Sequence, residues 1–102
     1  MKSTNNIERI VKMTFRTDAI DEFLEHFQSI KEKIRNFPGC NGLKLIRSVD
    51  KDNILFTYSS WNAAEDLENY RNSELFKETW SYVKQLFEAR AEAWSTEIVA
   101  EL

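Results

Sequence analysis

Beyond Asn53 the chain reads Ile54-Leu55-Phe56-Thr57-Tyr58-Ser59-Ser60-Trp61 and then, after a polar stretch, Tyr70-Arg71-Asn72-Ser73-Glu74-Leu75-Phe76. The first run has the composition of a strand. Successive side chains of a strand point to opposite faces, so Tyr58 and Trp61, three residues apart, lie on opposite sides. Both faces of the sheet are therefore aromatic and need covering. The chain's own helices can cover one, and the expected cover for the other is a second copy of the chain.

The 102 residues match one domain, able to bury about two thirds of its unfolded surface. An aromatic content of 13%, with three tryptophans, exceeds what a core of that size requires and points to an interface or a ligand pocket. Fourteen Lys and Arg against 17 Asp and Glu leave a net charge of -3, with the basic residues dispersed, so nucleic acid is not an expected partner. No apolar run is long enough for a signal peptide or a membrane span, and Cys40, the single cysteine, cannot form an internal disulfide. A cytoplasmic location is expected. Residues 1–6 are polar and read as a flexible N-terminal tail, leaving residues 7–102 as the domain.

Alternation over Ile7 to Phe15, with Val11, Met13 and Phe15 on one side, predicts a first strand. Asp18 is placed to cap a long helix ending at Asn36, with apolar residues at Ile20, Phe23, Leu24, Phe27, Ile30 and Ile34. Pro38 and Gly39 stop it. Leu43 to Val49 and the strand ending at Trp61 read as a hairpin around the polar cluster Asp50-Lys51-Asp52-Asn53. Asn62 with Glu65 resembles a capping box for a short helix through Tyr70. Asn72 or Ser73 can cap a longer one carrying Leu75, Phe76, Trp80, Val83, Leu86 and Phe87. A last strand is expected over about Glu92 to Glu101. This order predicts an α+β fold: a ferredoxin-like four-stranded antiparallel sheet with helices on one face, pairing through the other into a dimeric α/β barrel.

Several short segments, in this order and spacing, carry a family resemblance. They are Phe37-Pro38-Gly39-Cys40, the strand closing at Trp61, Ala64-Glu65-Asp66-Leu67 with Tyr70, Ser73-Glu74-Leu75-Phe76, and Glu92-Ala93-Trp94. From Ile7 to Val99 the chain resembles the antibiotic biosynthesis monooxygenase family. The resemblance implies a homodimer whose last strand reaches across to its partner, and a pocket between helices and sheet in each subunit. It also implies a choice among cofactor-free oxygenases of phenolic substrates, quinol oxidases, haem-degrading enzymes, isomerases and proteins of other roles. The haem-degrading branch is similar in carrying an asparagine, an aromatic residue and a haem-ligating histidine where this chain has Val11, Tyr70 and Trp80. With that ligand missing, haem degradation is not expected, and no cofactor or metal is.

What remains is an aromatic set suited to a small, flat, electron-rich ligand. A cofactor-independent monooxygenase or quinol oxidase needs a dry pocket that orients a phenolic, anthrone-like or quinol substrate and stabilises its anion while it reacts with O2. For catalysis the expected residues are Trp61, to stack or donate its indole N–H, and Tyr58 and Tyr70, to bond the phenolate. His26, at the edge of the helix's apolar stripe, is the natural proton shuttle. Arg47, Thr57 and Trp80 are expected to bind the substrate. Cys40 reads as a packed thiol, with no basic neighbour in sequence to activate it. The alternative is a ligand-binding or stress-associated dimeric module without catalysis, and an isomerase has only His26 in its favour.

Overall fold

The computed structural model describes residues 6–102; apart from Asn6, the N-terminal tail expected from the sequence lies outside the described residues. The chain runs β1 (Ile7–Phe15), α1 (Ile20–Arg35), β2 (Cys40–Arg47), β3 (Ile54–Trp61), α2 (Ala64–Arg71), α3 (Glu74–Val83) and β4 (Phe87–Thr96), with 3-10 turns at Thr17–Ala19 and Lys84–Leu86. The strands form one antiparallel sheet in the order β2-β3-β1-β4. With the helices on one face, this is the ferredoxin-like arrangement.

The pleat assigns every strand residue to a side. Odd-numbered positions of β1 and β3 turn toward the helices, and among them Met13, Phe15, Leu55 and Trp61 are buried. Against them α1 lays Phe23, Phe27, Ile30 and Ile34, a spacing of four, three and four residues that keeps one stripe facing the sheet. Phe15 stacks on Phe23 with ring centroids 4.4 Å apart. Complete burial of Phe15 and Leu55 stabilises the fold by about 1.5–3 kcal/mol each. A second, smaller cluster gathers Cys40, Trp61 and Leu67 with Ile7, Phe37 and Tyr70 at the other end of the sheet.

The even-numbered face is left open by the chain's own helices. Lys12 there meets Glu92 at 3.8 Å, and Lys44 sits over the Tyr58 ring, 5.4 Å from its centroid. Ile46 and Trp94 remain 47% and 45% exposed.

Three expectations about helix ends and the last strand are corrected. Asp18 lies inside a 3-10 turn and pairs with Arg16, while α1 begins at Ile20 without a side-chain cap. Asn62 is no cap either: its side-chain oxygen accepts from Asn41, and α2 begins behind Ala63. The last strand starts at Phe87, since the chain turns through Lys84–Leu86 after Val83 and pairs with β1 from Phe15↔Phe87 to Glu8↔Thr96. Ser73 is the cap of α3, its hydroxyl accepting from the Phe76 N–H at 3.1 Å.

Candidate functional site

The second half of α1, with α2 and α3, does not close completely on the sheet. A cavity of about 280 Å³ remains between them. Val11 and Met13 of β1, Leu43 of β2 and Thr57 of β3 form part of its floor. Phe27 and Ile30 of α1 wall it on one side, and Tyr70, Phe76 and Trp80 on the other.

The aromatic wall is continuous. Tyr70 stacks on Trp61 at 5.0 Å with the rings 25° apart, and meets Phe37 and Phe76 edge to face at 5.4 and 5.2 Å. Phe76 in turn stacks on Trp80 at 5.9 Å, and Trp80 meets Phe87 at 5.6 Å. Such contacts fix ring orientation beyond what area burial alone provides. The wall is therefore a pre-formed aromatic surface.

The polar groups are not scattered. Register places Ser59, Arg9 and Ser95 side by side across β3, β1 and β4, all toward the helices. Arg9 donates from one guanidinium nitrogen to Ser95 Oγ at 3.0 Å, and Arg71, the last residue of α2, lines the same end of the cavity. Burial, and after it the charge of Arg71, lowers the Arg9 pKa. The Ser59 hydroxyl accepts the Trp61 indole N–H at 2.9 Å, which leaves its own proton free to donate. One end of the cavity is thus cationic and rich in donors. Toward Met13, Phe23 and Val83 it is apolar.

Burial pushes the Tyr70 hydroxyl well above its ordinary range, so Tyr70 stays protonated and can donate a hydrogen bond. The Cys40 thiol is likewise pushed up by burial and donates to the Gly42 carbonyl at 3.5 Å. Among the described residues, no group of three His, Cys, Asp or Glu side chains is placed to hold a metal ion. Among the described residues, no carboxylate or imidazole lines the cavity.

Of the residues proposed from the sequence, Thr57, Tyr70 and Trp80 line the cavity. Trp61 does not reach it: its ring is wholly buried behind Tyr70, and it acts on the cavity wall only through Tyr70 and Ser59. Tyr58 faces the other side of the sheet, paired across strands with Ile10 and Lys44. Arg47 lies at the hairpin end of β2, beside Asp50, Lys51 and Glu88 in a shallow surface groove. His26 packs against Tyr82 at 4.6 Å on the α1 flank, its Nε2 buried without a hydrogen-bond partner. Sequence reasoning missed Arg9, Ser59, Arg71 and Thr79. The signal for Arg9 was present, since it shares the inward register of Val11, Met13 and Phe15, where a charge is out of place.

A ferredoxin-like sheet holding a small aromatic cavity under its helices defines the class: an α+β domain of the ferredoxin-like kind. The sequence profile of the antibiotic biosynthesis monooxygenase family matches residues 7–80, and the chain belongs to that family. Solved structures agree on the fold. Proteins of Nitrosomonas europaea and Caulobacter crescentus, both named for the same family, are 14% and 16% identical, each with a TM-score of 0.87. The first comparison covers 97% of this chain and 95% of the other, the second 95% and 92%. A variant of SnoaB, a cofactor-independent oxygenase of Streptomyces nogalater, is similar at 18% identity and a TM-score of 0.86, over 96% of this chain and 97% of its own. No protein of curated function matches the chain.

Proposed function

We propose that this protein is a cofactor-independent monooxygenase or quinol oxidase for a small phenolic or quinol substrate. The observation that carries the reading is the aromatic-walled cavity with hydroxyl donors at one end. Its volume is at the lower end of ligand sites, roughly 300–1000 Å³, which favours one or two fused rings over an anthrone-like polycycle. The flat wall of Tyr70, Phe76 and Trp80 stacks the ring, while the Ser59, Thr57 and Tyr70 hydroxyls hydrogen-bond the substrate oxygen as it becomes anionic. The cavity side chains among the described residues include no carboxylate or imidazole, so the substrate gives its proton to water at the mouth. For a naphthol the balance closes without a cofactor. The C–H para to the hydroxyl is replaced by a carbonyl, one oxygen atom stays in the quinone, the other leaves as water, and the substrate supplies all four electrons.

Oxygen uptake by the metal-free protein with 1-naphthol, a naphthohydroquinone and anthrone tests this. Uptake is expected with the first two, and Trp80→Leu should lower it at least about tenfold with the fold retained. No uptake above buffer with any of the three would refute the reading. The absence of a base from the cavity lining favours one second reading, a binding module that takes the same ligands without turnover. It predicts saturable quenching of tryptophan emission and no product.

The homodimer belongs to the same proposal. Ile10, Ile46, Phe56 and Trp94 form an apolar surface on the open sheet face, and a second copy is the cover that suits it. Sedimentation as a single 12.1 kDa species at micromolar concentration would refute it.

A further inference from the structure

We propose that the polar end of the cavity is a carboxylate site, in which Arg9 and Arg71 bind the acid group of a small hydroxyaryl acid. The inference rests on the cavity being the ligand site, and it adds the charge and shape of what enters.

Three observations carry it. Arg9 sits in the inward register of the central strand β1, among residues that otherwise build the core, and it lines the cavity. Arg9 is only half-buried, yet burial and the neighbouring Arg71 both disfavour its charge, so an anion there would be favourable. Among the described residues no carboxylate pairs with Arg9, and its one side-chain partner is the neutral Ser95 hydroxyl. Residues 1–5, Met-Lys-Ser-Thr-Asn, contain no acidic side chain that could supply one. Arg71 adds a second positive charge at the cavity lining, and among the described residues its one ion pair is a 3.7 Å contact to Glu68, three residues earlier in α2.

A guanidinium has five N–H donors in a planar fork, and Ser95 uses one direction of it. The remaining donors match the two oxygens of a carboxylate. A neutral phenol would leave the Arg9 charge uncompensated at the cavity wall, beside an Arg71 that only Glu68 offsets, whereas an acid neutralises the excess and adds charge-assisted hydrogen bonds. The neighbouring Ser59 hydroxyl, held by the Trp61 indole, then falls to a second oxygen of the ligand. An aromatic acid with a hydroxyl beside its carboxylate presents these groups together, and its rings extend toward the apolar end.

Isothermal titration under nitrogen, with 1-hydroxy-2-naphthoate and 1-naphthol as probes, separates this inference from the oxygenase reading because no turnover is involved. The two probes differ only in the carboxylate. The acid should bind at least about tenfold more tightly, and Arg9→Met should remove most of that preference by weakening the acid far more than naphthol. Arg9→Lys, which keeps the charge without the fork, should retain part of the preference, and it decides the matter if Arg9→Met does not fold. Equal affinities in the unmodified protein would overturn the inference, as would an arginine variant that weakens both probes equally. Oxygen uptake without any preference for the acid would overturn the carboxylate site and leave the oxygenase reading standing; a preference without uptake would do the reverse.

Discussion

Replacing Trp61 by alanine should unfold the second core cluster rather than merely empty a pocket. The side chain is 0% exposed, stacks on Tyr70 at 5.0 Å, meets Phe37 at 6.3 Å and packs with Cys40 and Leu67. Removing a buried indole costs about 3–5 kcal/mol, because the cavity left behind adds to the lost transfer energy. The Ser59 hydroxyl also loses the N–H that it accepts at 2.9 Å. A domain of this size has a total stability of about 5–15 kcal/mol, so a fifth or more of it goes. At roughly 4–5 °C per kcal/mol, the midpoint falls by about 12–25 °C. Thermal and urea denaturation followed by circular dichroism at one protein concentration measures both numbers, concentration being held because assembly would shift them. Trp61→Phe is the control: it keeps a ring in the stack and loses the indole hydrogen bond, at a cost of about 1–2 kcal/mol. A loss below about 1.5 kcal/mol for Trp61→Ala would refute the packing argument. It follows that an activity loss in Trp61→Ala cannot by itself mark a substrate contact.

Two further perturbations have signs fixed by the structure. Tyr70 titrates higher in the folded protein than its ordinary 10.0, so its contribution to stability is fully present below pH 10 and is lost as pH rises toward the folded-state value. Stability should fall by about 1.4 kcal/mol per pH unit from this group in that window, and the part of the slope missing in Tyr70→Phe measures it. An unchanged slope would refute the burial argument. Gly39 has φ of +90°, and a β-carbon there would stand 2.4 Å from Asp66 Cβ. Gly39→Ala should therefore cost at least about 1–3 kcal/mol in urea denaturation, and a neutral result would show that α2 can move away from the turn.

How far the sequence reached is clearest in β1 and β3. Alternation is a local property: it groups Val11, Met13 and Phe15 on one face of β1 and separates Tyr58 from Trp61 in β3, while strand pairing decides that Trp61 shares the side of the first group. The strand and helix order followed from similar periodicities, and the cap of α3 was narrowed to Asn72 or Ser73, of which the structure selects Ser73. Helix and strand starts were less legible. Arg16 drew Asp18 away from a capping role, Asn41 did the same to Asn62, and the turn at Lys84–Leu86 let β4 begin at Phe87.

The cavity itself was beyond local reasoning. Periodicity says which residues share a face, but a cavity exists where the helices fail to close on that face, and this depends on volumes contributed by four or five elements at once. Trp61 and Tyr70 illustrate the difference. Both are large inward aromatics, yet one is sealed behind the other, and only the stacking of α2 over the end of β3 decides which of them meets a ligand. Arg9 is the converse case. The sequence by itself put a charge in the inward register of the central strand; only the tertiary structure set it beside Ser59, Ser95 and Arg71, because strand pairing and the end of α2 bring together residues 50 to 86 positions apart, whose effects on one another no local pattern contains.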